Sequence, residues 1–146
     1  MYEAIQIVHS YWAYLVVLVV TLATFNGLIG FFTKREYVPK DFRISLFGLI
    51  VTHLQLLIGI ILFFLSPSVM WFTKGVSVGD IMGDPLLRLY NVEHPMMMIL
   101  MVVFITMGYS KHKKKLTSTP KLKMIAIFYT IAWVLMLSRI PWANWF

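Results

Sequence analysis

The chain contains no cysteine in its 146 residues. Disulfides, thiolate metal sites, cysteine-ligated iron–sulfur clusters and covalent haem attachment through Cys-x-x-Cys-His are therefore excluded. Any cofactor must be held by histidine, methionine, carboxylate or backbone. Charge is also scarce: 13% of residues are charged against 60% apolar, too little polar surface for an ordinary water-soluble domain of this length. Acidic residues number six against thirteen basic ones, for a net charge of +7. The placement of those charges follows membrane topology, so no nucleic-acid partner is expected. A Rossmann-type glycine signature is missing, as is a serine elbow with a serine–histidine–acid spacing, which argues against a complete multi-step oxidoreductase and against a nucleophilic hydrolase. No basic leader precedes the first apolar run, so no cleavable signal peptide is expected.

Four apolar stretches are present, over residues 8–32, 44–65, 89–109 and 122–140. Each reaches the roughly 20 residues that a helix needs to cross a hydrocarbon core about 30 Å thick. Helices are expected over strands because an open sheet leaves backbone groups unsatisfied in lipid, and the runs lack the alternation of a barrel. The connections cover 33–43, 66–88 and 110–121, with Pro39, Pro67, Pro85 and Pro120 marking breaks. Ten of the thirteen basic residues lie in or beside the first and third connections: Lys34, Arg35, Lys40, Arg43, Lys111, Lys113, Lys114, Lys115, Lys121 and Lys123. The positive-inside rule puts those connections in the cytoplasm. The expected fold is thus a single all-α domain spanning 1–146, an integral membrane four-helix up-down bundle with both termini on the non-cytoplasmic side. Tyr2, Tyr11, Trp12, Trp71, Tyr90, Trp142 and Trp145 then gather at the outer interface, where amphipathic rings are favoured.

Ionisable groups in lipid are costly and usually face the bundle interior. His9 and His94 fall near the outer ends of the first and third helices, and His53 lies about ten residues into the second. Stepping from His9 by threes and fours meets Ala13, Val16, Val20, Ala23 and Gly27, a stripe with small residues that favours close helix contact and turns His9 inward. His94 shares a face with Met98, Met101, Ile105 and Gly108. On the second helix the small and polar stripe is Gly48, Thr52, Gln55 and Gly59, with His53 on its flank. Neutral imidazole is a good ligand for haem iron, and a four-helix membrane bundle can hold two histidines on opposite faces of a porphyrin. His94 is the first candidate ligand; its partner is left open between His9, at similar depth, and His53. Arg139 or Arg88 can neutralise propionates at the outer rim, and Trp142 can close the pocket. The plainer alternatives are a solvated interfacial His9, hydrogen-bonded structural roles for His53 and His94, packing roles for Met96, Met97 and Met98, and a solvated His112 among the lysines.

The segments His9-Ser10, Thr52-His53-Leu54-Gln55 with Gly59, Val92-Glu93-His94 with the methionines after it, Ile127-Phe128-Tyr129 and Ile140-Pro141-Trp142 resemble, nearly end to end, a small bacterial membrane family labelled cytochrome b. A weaker similarity is to half of a haem A synthase. The resemblance implies four membrane helices and a b-type haem. Where the family continues the His-Ser pair with a Gly-Leu-Arg-Trp-like segment, this chain has Tyr11, Trp12, Ala13 and Tyr14, so no arginine is carried over there.

The leading expectation is a haem b subunit that transfers electrons near the outer face of a bacterial cytoplasmic membrane, with quinol as a candidate donor. It would contact the bilayer and other membrane subunits of a redox complex. A second expectation is a cofactor-free accessory or assembly subunit, its histidines and Glu93 making interhelical hydrogen bonds. A third is a metal-binding or ion-translocating bundle using His9, His53, Glu93 and His94.

Overall fold

The computed structural model describes residues 1–145. Its described residues are helical with no strand, in the order α1 (Tyr2–Phe32), α2 (Pro39–Leu65), α3 (Val78–Gly83), α4 (Pro85–Lys114) and α5 (Ser118–Ser138), closing with a short 3-10 turn at Trp142–Asn144. Four of these, α1, α2, α4 and α5, are long and apolar enough to cross a membrane. Even α5, with 21 residues, reaches about 31 Å at ~1.5 Å per residue.

The helices extend further than the apolar runs because polar residues can continue or cap a helix that hydropathy alone does not reveal. Pro39 begins α2, where a missing N–H costs nothing. Asp84 starts α4 by accepting from Leu86 and Leu87 N–H at 2.9 and 3.0 Å. The connection read as 66–88 therefore ends earlier, and it also contains α3, capped by Ser77 accepting from Asp80 N–H at 3.1 Å. At its other end α4 continues through the lysines to Lys114.

That extension overturns the expectation of a solvated His112. The residue is fully buried: Nδ1 donates to Tyr109 O at 2.6 Å and Nε2 accepts from the Tyr37 hydroxyl at 2.9 Å. Tyr37, between α1 and α2, folds over the end of α4, and its backbone N–H donates to Ser118 Oγ at 2.9 Å. Nearby, the buried Asp41 carboxylate takes Arg35 Nη1 and Nη2 at 2.9 and 2.8 Å, Asn26 Nδ2 at 2.7 Å and Val38 N–H at 2.8 Å. A charge in such a place is tolerated because each oxygen is answered by donors.

The core runs between the four long helices through Val16, Val20, Ala23, Val51, Met101, Ile105, Ile125, Tyr129, Ala132 and Met136. Inward direction of the Val16–Val20–Ala23–Gly27 stripe on α1 and of Met101, Ile105 and Gly108 on α4 matches the sequence reading. α1 packs on α2 and α5, and α4 on α5, while α2 and α4 meet along a lesser seam. Small residues make these approaches possible: a Cβ added at Gly108 would lie 2.7 Å from Phe128 Cβ, and one at Gly27 2.7 Å from Ile125 Cγ2. Polar cross-links join the same helices. Tyr129 donates to Ser45 O at 2.7 Å, Thr24 to Tyr129 O at 3.1 Å and Trp133 Nε1 to Thr21 Oγ1 at 2.9 Å. Leu18, Leu22, Ile29, Phe47, Leu57, Ile61, Val103 and Val134 remain exposed on the outer faces, a surface compatible with lipid contact.

One backbone feature near the site was not legible as such. Leu89–Glu93 forms a π turn in α4, with His94 N–H bonded to Leu89 O. Pro95 explains it: proline has no N–H and its ring clashes with the carbonyl four residues back, that of Asn91. Freed from the helix ladder, Asn91 O accepts from Trp71 Nε1 at 3.0 Å.

Candidate functional site

α1 and α4 bring His9 and His94 together. Their ring centroids are 6.3 Å apart and their planes are nearly perpendicular, at 82°. His94 Nδ1 donates to the main-chain carbonyl of Arg139 at 2.8 Å. A carbonyl only accepts, so the ring proton sits on Nδ1 and Nε2 is left with its lone pair. His9 has no protein partner for its buried Nδ1, while its backbone carbonyl accepts from Gln55 Nε2 at 2.9 Å. Gly59 faces this ring from α2: a Cβ there would stand 3.2 Å from His9 Cε1 and 3.7 Å from Nδ1. The glycine keeps α2 clear of the imidazole.

Both histidines line a cavity of about 380 Å³. Its walls are mainly apolar, from Val16, Leu56, Phe63, Met98, Met101 and Met136, with Gln6, Ser10, Gln55 and Tyr90 as polar members. Trp145 lines it too and donates Nε1 to Ser10 O at 3.1 Å. The expected closing residue, Trp142, does not: it is exposed and bonds back to Leu137 O at 3.0 Å. The chain turns at Pro141 and carries Trp145, four residues further on, over the cavity.

The remaining candidates lie around this pair. Glu93 holds Arg88 Nε at 2.8 Å and Arg139 Nε at 3.1 Å. Arg139 thus acts at the rim twice, through its guanidinium on Glu93 and its carbonyl on His94. His53 is set apart. It is exposed, its Nδ1 donates to Leu49 O at 2.7 Å, and its Nε2 faces Thr106 Oγ1 at 3.4 Å; it does not line the cavity. Among the described residues no group of three or more His, Cys, Asp or Glu is placed to hold a metal ion. That opposes the four-residue metal reading, in which Glu93 and His53 would have to join His9 and His94.

The donor set nevertheless suits a porphyrin iron. A bare transition metal ion needs three or four protein ligands, whereas haem iron brings four equatorial nitrogens and asks for one or two. His9 and His94, with ring centroids 6.3 Å apart and both lining the cavity, would supply those ligands. Gln55, Gly59 and Trp145 were the members least legible beforehand; only the small and polar stripe of α2 pointed toward the first two.

No family model matches the chain, and no curated protein or solved structure matches it either.

Proposed function

We propose that this chain is a membrane-embedded b-type haem protein acting as an electron-transfer subunit, with His9 and His94 as the residues that would hold its iron. The observation that carries the reading is the 6.3 Å separation of their rings at the edge of an apolar cavity. His94 is presented by the Arg139 carbonyl with Nε2 free, the outer-sphere arrangement usual for a ligating imidazole. When bound, haem supplies reversible one-electron chemistry. The residues would bind and orient it: His9 and His94 would hold the iron, methionines and Phe63 would keep out water, and Trp145 would cover the cavity.

The proposed setting is a bacterial cytoplasmic membrane. The helices form an up-down bundle, supported by the register in which His9 meets Gln55 while Asn26 meets Asp41 at the other end. Both termini then lie outside and the lysine-rich connections inside, as the positive-inside rule requires. Quinol is the proposed electron source, and other subunits the proposed acceptors.

Purified protein from haem-replete cells tests it by oxidised and reduced visible spectra and pyridine haemochrome analysis. Stoichiometric b-type haem in wild type, lost in both His94→Ala and His9→Ala, is expected. A folded wild type without a Soret band would overturn the assignment. That result would select the second reading, a cofactor-free accessory subunit, which one observation favours: 6.3 Å at 82° is also an ordinary direct edge contact between two rings.

A further inference from the structure

A second concavity lies on the outside of the bundle, away from the histidines. It is a furrow of about 230 Å³ between α1 and α5, lined by Leu28, Phe31 and Phe32 on one side and Ala126, Ile127 and Thr130 on the other. It shares no residue with the histidine cavity. Its walls belong to the outer surface, since Phe32 is 75% exposed and Ile127 40%. The two helices touch closely along it: a Cβ added at Gly27 would stand 2.7 Å from Ile125 Cγ2, and one at Gly30 3.0 Å from Leu122 Cδ2. An apolar furrow open to the bilayer suits a hydrocarbon chain, which gains many small dispersion contacts by lying in it.

Positive charge stands at one end of this furrow. On α1, Lys34 follows Phe32 at the turn that closes the helix; on α5, Lys123 precedes Ala126 and Ile127 by three and four residues and shares their face. The Lys123 side chain leans toward the start of α5, away from the apolar walls and toward the end of the bundle. Both lysines are exposed, and neither ammonium has a hydrogen bond, ion pair or ring contact among the described residues. Neighbouring cations are engaged: Arg35 on Asp41, and Lys111, Lys113 and Lys121 over the rings of Phe128, Tyr109 and Tyr37. The acidic residues of this end are Asp41, buried and answered by Arg35, and Glu36, which is exposed. With ten basic residues against those two, the complementary partner is an anion.

We propose that the furrow binds one anionic phospholipid, with an acyl chain along Leu28, Phe32 and Ile127 and the phosphate held between Lys34 and Lys123. The two halves of the site select the occupant together. Free phosphate has no chain for the furrow, and a zwitterionic phospholipid brings a cation of its own to the lysines. The site does not depend on haem.

The test is native mass spectrometry of the intact, delipidated protein in detergent, titrated with dioleoylphosphatidylglycerol and with dioleoylphosphatidylcholine, which carries the same chains. Wild type is expected to retain one phosphatidylglycerol and to bind phosphatidylcholine about tenfold or more weakly. Glycerophosphoglycerol, the headgroup without chains, is expected not to displace the lipid. The double variant Lys34→Gln, Lys123→Gln should lose the preference, whereas Lys40→Gln, Lys115→Gln, which removes the same charge at the same end but from outside α1 and α5, should keep it. Leu28→Trp, which fills the furrow and leaves both lysines, should weaken retention of phosphatidylglycerol. Folding of each variant is checked by circular dichroism. Equal wild-type affinity for the two lipids, displacement by the bare headgroup, an equal loss in the two double variants, or full retention in a folded Leu28→Trp would each overturn the proposal. The wild-type comparison of the two lipids needs no variant.

Discussion

His94 donates its Nδ1 proton to the main-chain carbonyl of Arg139 across 2.8 Å, so the residue that orients the imidazole does so with an atom that side-chain substitution leaves in place. Arg139→Ala is therefore expected to lower haem affinity by less than about tenfold, toward the mild end of outer-sphere effects on metal binding. Glu93→Ala removes the carboxylate shared by Arg88 and Arg139 and is expected to cost about tenfold or more. His94→Ala should abolish binding. Haem titration of the three purified variants checks the order; an Arg139→Ala protein as empty as His94→Ala would contradict it.

At the opposite end of the bundle, the Tyr37 hydroxyl donates to His112 Nε2 at 2.9 Å. Burial, with added effects from Asp41 and Tyr109, pushes its pKa up to about 12, against about 10 in an unfolded chain. The folded state thus holds the proton more tightly, so the contribution of Tyr37 to stability is complete below about pH 10 and is lost as pH rises toward 12. Tyr37→Phe should lose about 1–3 kcal/mol at neutral pH by leaving His112 Nε2 unanswered. Its stability should also fall less steeply than wild type between pH 10 and 12. Denaturant unfolding in detergent across that range, read as the difference between the two proteins, measures both effects.

The four spans and the inward faces of α1 and α4 were legible because lipid imposes length and apolarity on a helix, and helical spacing alone identifies the small-residue stripe from Val16 to Gly27. His9 and His94 were legible as candidates at similar depths, but the sequence left the partner of His94 open between His9 and His53. His112 was not, because its surroundings in sequence are lysines, while the group that buries it, Tyr37, is 75 positions away. The rim differed similarly. Trp142 and Trp145 look alike in sequence, and only the turn at Pro141 decides which one covers the cavity.

Asp41 is the most heavily bonded carboxylate described, with Arg35, Asn26 and the Val38 N–H all upon it. Removing one partner of such an arrangement leaves an uncompensated buried charge, so Arg35→Ala is expected to destabilise by about 3 kcal/mol, the low end for breaking a buried pair because Arg35 is itself partly exposed. Arg35→Lys keeps the charge but cannot reproduce the two-pronged contact, and should recover only part of the loss. Thermal unfolding in detergent ranks the three proteins; a lysine variant as stable as wild type would show that charge alone suffices.

Asn91 ties the longest connection to the helix that carries His94. Its Oδ1 accepts from Met70 N–H at 2.8 Å, and its Nδ2 donates to Ser68 O at 3.0 Å and Leu87 O at 2.8 Å. Its carbonyl, freed by Pro95, takes Trp71 Nε1. Asn91→Ala deletes the three side-chain bonds and leaves the carbonyl contact. Of the described hydrogen bonds between residues 68–71 and α4, only that of Trp71 would remain. Hydrogen exchange should accelerate at the Met70 amide, the N–H that Asn91 Oδ1 now protects, while the amides of α1 around Val16 and Val20 remain as slow as in wild type. Such locality follows from placement: the lost bonds join the connection to α4 and none reaches the core between α1 and α5. Exchange that quickened equally along α1 would mean that Asn91 supports the whole bundle rather than its outer connection.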